Sequence, residues 1–418
     1  MPTVTSTFAQ DFFLPLVEEI LRAEHQRVCP ELSDLEWMTL GVSRALDDHP
    51  SGRGFLQNLQ ASGAKAPEVS HFFESLKSER RLALSAEVCL ALSKRPPPQT
   101  DHLLCQAKEL EDFDLYAGDG HFHAAAAHDQ PVDGTKYATG HFYALNLRSH
   151  ALSHLCVADQ VERKKEHDMR ALKQLEITTL RQAAPLRRKV LYVWDRAGID
   201  FRWWYQIKQR SGIYFLSREK VNMRLDAIGV LPMDAADPRN AGVIADELVA
   251  TSQGVSVRRI RYCCPVRGEE FSFITNLMSV PPGLIVHLYR IRWDIEKVFD
   301  QLKNKLGEIK AWASSPTAKT MQAHFLCLAH NLMLLCENNL ESVHGIRNVA
   351  ELKRRAKRLT ELIATLAPKN LTLPILFVAT QRFTQRSLKF IRWLRVQLFG
   401  HPPDGPPWDA LRILFAHL

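Results

Sequence analysis

Residues Arg188–Asp195, RKVLYVWD, form a short, nearly continuous apolar run that ends on an acid. A strand apolar on both faces must be covered on both faces, as in layered α/β folds. That run is the strongest constraint in the chain, and its surroundings agree with it. DFDLYAGDG alternates and breaks at Gly118–Gly120, predicting a strand that enters a tight loop. TGHFYALNLRS and ALSHLCVAD read as two more strands of a meander, and Lys164 to about Gln182 reads as helix. RWWYQIKQRSGIYFLSREK reads as a helix, a Ser-Gly stop and another strand. This mixed order predicts an α/β domain with a mixed sheet.

Helical patterning flanks that region. Residues 1 to about 95 carry apolar residues at three- and four-residue spacing, interrupted by turn-rich breaks at Asp47–Gly54 and Ala61–Pro67. Three consecutive prolines in Lys94–Asp101 cannot continue a helix and read as a stiff linker, which places a domain boundary near residue 100. Residues 221–282 hold turns and short β-strands, and SVPPG (Ser279–Gly283) closes them. A long helix is then expected from Leu284 past Leu306, followed by mostly helical, basic sequence over 311–418.

The 418 residues are more than one simple core organises, so two or three domains are expected. With 46% hydrophobic and 24% charged residues the composition is that of an ordinary soluble globular protein. No membrane-length apolar run and no leader is read, and eight scattered cysteines without a C-x-x-C pair read as reduced thiols of a cytoplasmic protein. The net charge of +8 points to a polyanionic partner. Basic clusters at Lys94–Arg95, Glu162–Lys165, Pro185–Lys189, Val257–Arg261, Lys353–Arg358 and Arg386–Arg395 are spread along the chain, which fits a long nucleic-acid ligand better than one small pocket.

The segment YRIRWDIEKVFDQLKNKLG begins at Tyr289. On a helical wheel Tyr289, Arg292, Glu296, Asp300 and Lys303 fall within about 80° of one another, and the row is about 21 Å long. Leu288, Ile291, Ile295, Val298, Leu302 and Leu306 take the opposite, core-facing side. A solvated charged face would explain the row. Against it, Arg292 precedes Glu296 at i,i+4, the weaker order for helix support. An acid flanked by cations can instead bind a metal while the cations hold phosphates. A hard divalent cation needs more than one carboxylate. Asp119 and Asp195 each end an apolar strand before a glycine-containing turn, and on neighbouring strands they would share one sheet edge, where open α/β sheets bind ligands. Each could equally be a turn cap. Asp294, Lys297 and Asp300 read as ordinary helix-surface charges.

Tyr289-x₂-Arg292-x₃-Glu296-x₆-Lys303 resembles the Y-R-E-K signature of the bacterial insertion-sequence transposases with a DDE catalytic triad. The resemblance also covers GDGHFH around Asp119 and the stretch after Asp195, and spans roughly residues 110–310. It implies an RNase H-like mixed-sheet core, with the first Asp on the first strand, the second just after the fourth, and the Glu on a following helix. It implies Asp119, Asp195 and Glu296 as the triad, holding two Mg²⁺ or Mn²⁺ ions for in-line phosphoryl transfer. Tyr289, Arg292 and Lys303 would hold DNA phosphates, with Arg196 beside Asp195 as a further candidate. Asp195 and Glu296 are 101 positions apart, so the β-rich stretch 221–282 corresponds to an insertion within the 101–310 core. The helical residues 1–100 would read terminal inverted repeats of double-stranded DNA, and the enzyme would act as a dimer on DNA. Trp203 and Trp204 read as core.

Three other readings compete. His121, His123 and His128 in GDGHFHAAAAHD suggest a metal-dependent amidohydrolase, but a barrel would need repeated strand–helix units. A decayed transposase that only binds DNA, and an RNase H-like nuclease that cuts without joining, both keep the same residues.

Overall fold

The computed structural model describes residues 4–399 except 30, 48–50, 62, 64–65, 99–102, 159–167, 197, 347–348, 370–373, 379–381. The basic run Glu162–Lys165 and the end of the proline linker therefore lie outside the described residues.

Five helices open the chain: α1 (Val4–Arg22), α2 (Asp34–Leu46), α3 (Gly52–Ala61), α4 (Val69–Ser75) and α5 (Glu79–Leu92). Ser33 caps α2 in a full capping box with Glu36, which satisfies two backbone donors that the first turn leaves open. A short α6 (Leu103–Gln106) leads into β1 (Phe113–His123), β2 (Thr139–Asn146) and β3 (Leu152–Ala158). Then follow α7 (Asp168–Gln174), α8 (Ile177–Arg181), β4 (Lys189–Val193), α9 (Phe201–Ser211) and β5 (Ile213–Arg218). Asp200 caps α9, and Gly212 ends it at φ 62°, a left-handed conformation that glycine adopts without strain. Strands β6 (Leu225–Val230), β7 (Val243–Thr251), β8 (Ser256–Cys263) and β9 (Glu270–Thr275) precede α10 (Pro282–Ile291) and α11 (Asp294–Lys305). The chain closes with α12 (Pro316–His344), α13 (Val349–Leu366), α14 (Ile375–Val378) and α15 (Leu388–Phe399).

All nine strands form one mixed sheet in the order β3-β2-β1-β4-β5-β9-β8-β7-β6. The centre, β1, β4 and β5, is parallel, and the rest is antiparallel. The RKVLYVWD run is β4, with Val190–Val193 buried, as a central parallel strand demands. The fold is the mixed α/β arrangement with helical ends that the sequence predicts, consistent with an RNase H-like core. The β-rich stretch is β6–β9, and β9 pairs with β5, so this stretch extends the same sheet.

Two expectations are corrected. β1 does not break at Gly118–Gly120; it runs on to His123, because its pairing with β2 continues from Tyr116↔Asn146 to His123↔Thr139. Gly118 is needed for packing, since a Cβ there would lie 2.3 Å from the Trp194 ring. The long helix is two helices, α10 and α11, separated at Arg292–Trp293. Both residues keep right-handed helical dihedrals, but the hydrogen bonds tighten: Ile295 N donates to Arg292 O at 3.1 Å, three residues back. The core face survives, and all six of its expected apolar residues are buried.

Helix α12 is buried on nearly all sides over Met321–Leu334. It packs between α2 and α5 on one side and β3 on the other. Phe325 meets Trp37 edge-on at 5.1 Å, and Gly41 leaves room for the Phe325 ring. The Asn331 amide accepts from Leu152 N and donates to Leu152 O, both at 2.9 Å, pinning the start of β3. Phe8 of α1 lies 4.9 Å from Trp393 of α15, so the two ends of the chain share one hydrophobic core. No helix among the described residues is long and apolar enough to cross a membrane.

Candidate active site

The β1–β4 ladder ends at Ala117↔Val193. Asp119 and Asp195 each lie two residues beyond that pair, so both stand at the same level, Asp195 past the carboxyl end of β4 and Asp119 on the part of β1 that runs beyond it. Chain crossings in α/β sheets leave an open crevice at such a place. Asp119 remains on β1, held on its other side by β2, and its Oδ1 accepts from Gly120 N at 2.9 Å. Asp195 is in the turn after β4, where its carbonyl accepts from Ser217 Oγ of β5 at 2.7 Å. The turn predicted after Asp119 is absent; the one after Asp195 stands.

Glu296 comes from α11, which packs on β1. Arg292 joins the two elements: its Nη1 donates to Asp119 Oδ2 at 2.9 Å and its Nη2 to Glu296 Oε1 at 2.7 Å. The i,i+4 pair forms despite its order because the same guanidinium also reaches across to the strand. Asp119 is largely buried. Burial pushes its carboxyl up to about 6, Arg292 opposes that, and the charges of Asp195 and Glu296 add to it.

Tyr289 is half-buried, 4.9 Å from Phe273, with the Arg292 guanidinium over its ring at 5.7 Å. Burial raises its hydroxyl pKa; Asp195 adds to that, while Arg292, Arg218 and Arg196 oppose it. Arg196 and Lys303 are exposed, and Lys303 sits two helical turns beyond Glu296 on α11.

Two nearby expectations fail. Asp294 is no surface charge: it is buried and takes hydrogen bonds from Arg382 Nε, Lys297 Nζ and Phe383 N at 2.9, 2.9 and 3.1 Å. Burial would raise its carboxyl, but His150 and Arg382 hold it well below the usual range. His121 and His123, beyond the strand break expected at Gly118–Gly120, lie on β1. There they share a face with Asp119; His121 pairs with buried Glu308 at 2.8 Å, and His123 meets His141 at 3.2 Å. His128 is exposed on the following loop. Trp204 is core, with Trp203 packed on it at 4.6 Å. Sequence reasoning missed Arg218, which lies over Phe271 at 4.7 Å, and Arg290, 3.6 Å over Phe377. Their only sequence signal is a cation next to a strand end or a helix break.

Carboxylate oxygens are hard donors of the kind that suits Mg²⁺ or Mn²⁺. Among the described residues no group of three or more His, Cys, Asp or Glu side chains is placed to hold a metal ion. Arg292 stands between Asp119 and Glu296 as their counter-ion.

The family described as "Transposase DDE domain" matches residues 119–332, more than half of the chain, beginning at Asp119 itself. A Sinorhizobium fredii (strain NBRC 101917 / NGR234) protein named "Putative transposase y4zB" is 26% identical over 151 residues, 34% of this chain. The match spans 41% of that relative's length. With the family match extending from β1 into α12 over more than half of its length, the chain belongs to the DDE-domain transposases.

Proposed function

We propose that Asp119, Asp195 and Glu296 are the catalytic acids of a transposase that cleaves DNA at the ends of an insertion sequence and joins them to target DNA. One observation carries this reading: Asp119 on β1 and Asp195 just after β4 lie level, two residues beyond the last pair of the β1–β4 ladder, and Arg292 ties Asp119 to a helix glutamate. The three carboxylates would hold two Mg²⁺ or Mn²⁺ ions, which when bound supply activation of a water or 3′-hydroxyl and stabilisation of the leaving oxygen. The chain's own residues do the rest. Arg292 offsets the charges of Asp119 and Glu296 and would lie close enough to the reacting phosphate to help hold it. Tyr289 and exposed Lys303 and Arg196 would fix the phosphates on either side of the reacting one. Residues 1–100 would read the inverted repeats, 101–310 would form the catalytic unit with 221–282 as its insertion, and 311–418 would add DNA or dimer contacts. The complex would be a homodimer on double-stranded DNA in the cytoplasm.

Replacing Asp119, Asp195 or Glu296 with Ala should abolish Mg²⁺-dependent strand cleavage of DNA carrying the native ends, while filter binding stays within a few-fold of wild type. Full cleavage by any one of the three variants would sink the assignment. Cleavage without joined product in wild type would place the protein with the nucleases instead.

A further inference from the structure

Beside the acids, two cavities of about 570 and 800 Å³ adjoin along α10, α11 and α13. Tyr289 and Arg292 line the first, so it opens at the candidate active site. Arg290, Arg358 and Arg382 line both, which makes them one continuous groove. Its far end is walled by Lys305, Arg354 and Lys389. Seven arginines line the first cavity and eight arginines and lysines the second, yet among the described residues neither lining contains an aspartate or glutamate. Arg239, Arg292, Lys297 and Arg382 are ion-paired with carboxylates behind the lining, so the groove's excess positive charge comes from its other arginines and lysines. The cations also crowd one another: burial, then the neighbouring charges of Arg382 and Arg358, push Arg290 down to about 10. Such a surface is complementary to a polyanion.

We infer that this groove seats the phosphodiester backbone of one DNA strand as it leaves the acid cluster, crossing from Arg292 to Arg358 and on to Arg354 and Lys389. The inference rests on the proposed function for its direction. Cations alternating with Phe271, Tyr289 and Phe377 match a channel that follows a single strand's backbone. Guanidiniums already cover one face of Phe377 and of Phe271, so these rings hold cations in place, and the contact is independent of sequence. Arg354 and Arg358, one helical turn apart on α13, are exposed, as is Lys389.

The test is the salt dependence of DNA binding by the full chain, with a short duplex of arbitrary sequence and a thymidine homopolymer as probes. In Arg354→Ala/Arg358→Ala/Lys389→Ala the slope of log affinity against log salt should become shallower by about 2 to 3 for either probe. The Arg354→Lys/Arg358→Lys variant should keep the wild-type slope. An unchanged slope in the triple variant overturns the proposal, and so does a loss confined to the duplex. Unchanged slope with loss of self-association in sedimentation would assign the groove to a second copy instead. No cleavage is needed, so the result is separable from the test of the three acids.

Discussion

Arg292 is the residue on which the resting site depends. Its side chain is 8% exposed and touches carboxylates from two elements. Removing one partner of a buried charge network leaves the others uncompensated, at a cost of roughly 3 kcal/mol. Arg292→Ala should therefore lower the thermal midpoint without divalent ions and gain more than wild type when Mn²⁺ is added, both read by melting curves. An equal Mn²⁺ shift in the two proteins would mean the arginine does not stand where cations bind. A second residue-scale prediction concerns His324. Burial pushes its imidazole down to about 4, while the unfolded side chain titrates near its ordinary value of about 6.5. Its contribution is therefore complete above pH 6.5 and is lost as pH falls toward 4, on the order of 3 kcal/mol. Ser85 Oγ sits 2.8 Å from its Nδ1. His324→Gln, which cannot charge, should flatten the fall of melting temperature between pH 6.5 and 4; an unaltered profile would show that other groups govern it. At this scale the sequence was partly legible. The acids could be found because each follows an apolar run or sits on a helix wheel. Their counter-ion geometry could not, because Asp119 and Arg292 are 173 positions apart. Asp294 was misread for the same reason, since its partner Arg382 is 88 positions away.

Among the elements, β1 decides where the first acid sits. Period and composition located the strands, but two glycines imitate a turn, and only the partner strand shows that the extended chain continues. Gly118 is an accommodation to the Trp194 ring from the next strand's end. Gly118→Ala would force a methyl group into that ring, and overpacking of this kind costs about 1–3 kcal/mol. We expect a lower melting temperature and, because the shift falls one residue before Asp119, a larger loss of cleavage than of DNA binding. Equal losses would mean the strain spreads through the sheet. The break between α10 and α11 was equally illegible. Local periodicity is the same for one long helix and for two that share a tightened turn with helical dihedrals.

The whole molecule is held together by contacts far apart in sequence. Helical ends were legible from periodicity; their fusion to the sheet through α12 was not, because it depends on which faces meet. Asn331 supplies both a donor and an acceptor to Leu152. Asn331→Leu keeps the branching and the number of heavy atoms but orphans two buried backbone groups, at about 3 kcal/mol together. It should lower the midpoint of a single cooperative transition, with fluorescence and circular dichroism coinciding. If the two probes separate, the N-terminal helices and the sheet are thermodynamically independent.

The same clamp bears on the order in which the protein is made. β3 is translated early, but the side chain that satisfies its first residue arrives 179 positions later. Until α12 leaves the ribosome, the outer edge of the sheet and the apolar faces of α2 and α5 have no cover. A nascent chain arrested before residue 331 should thus need a chaperone to stay unaggregated, and the acids should not reach their final places until α12 has been made.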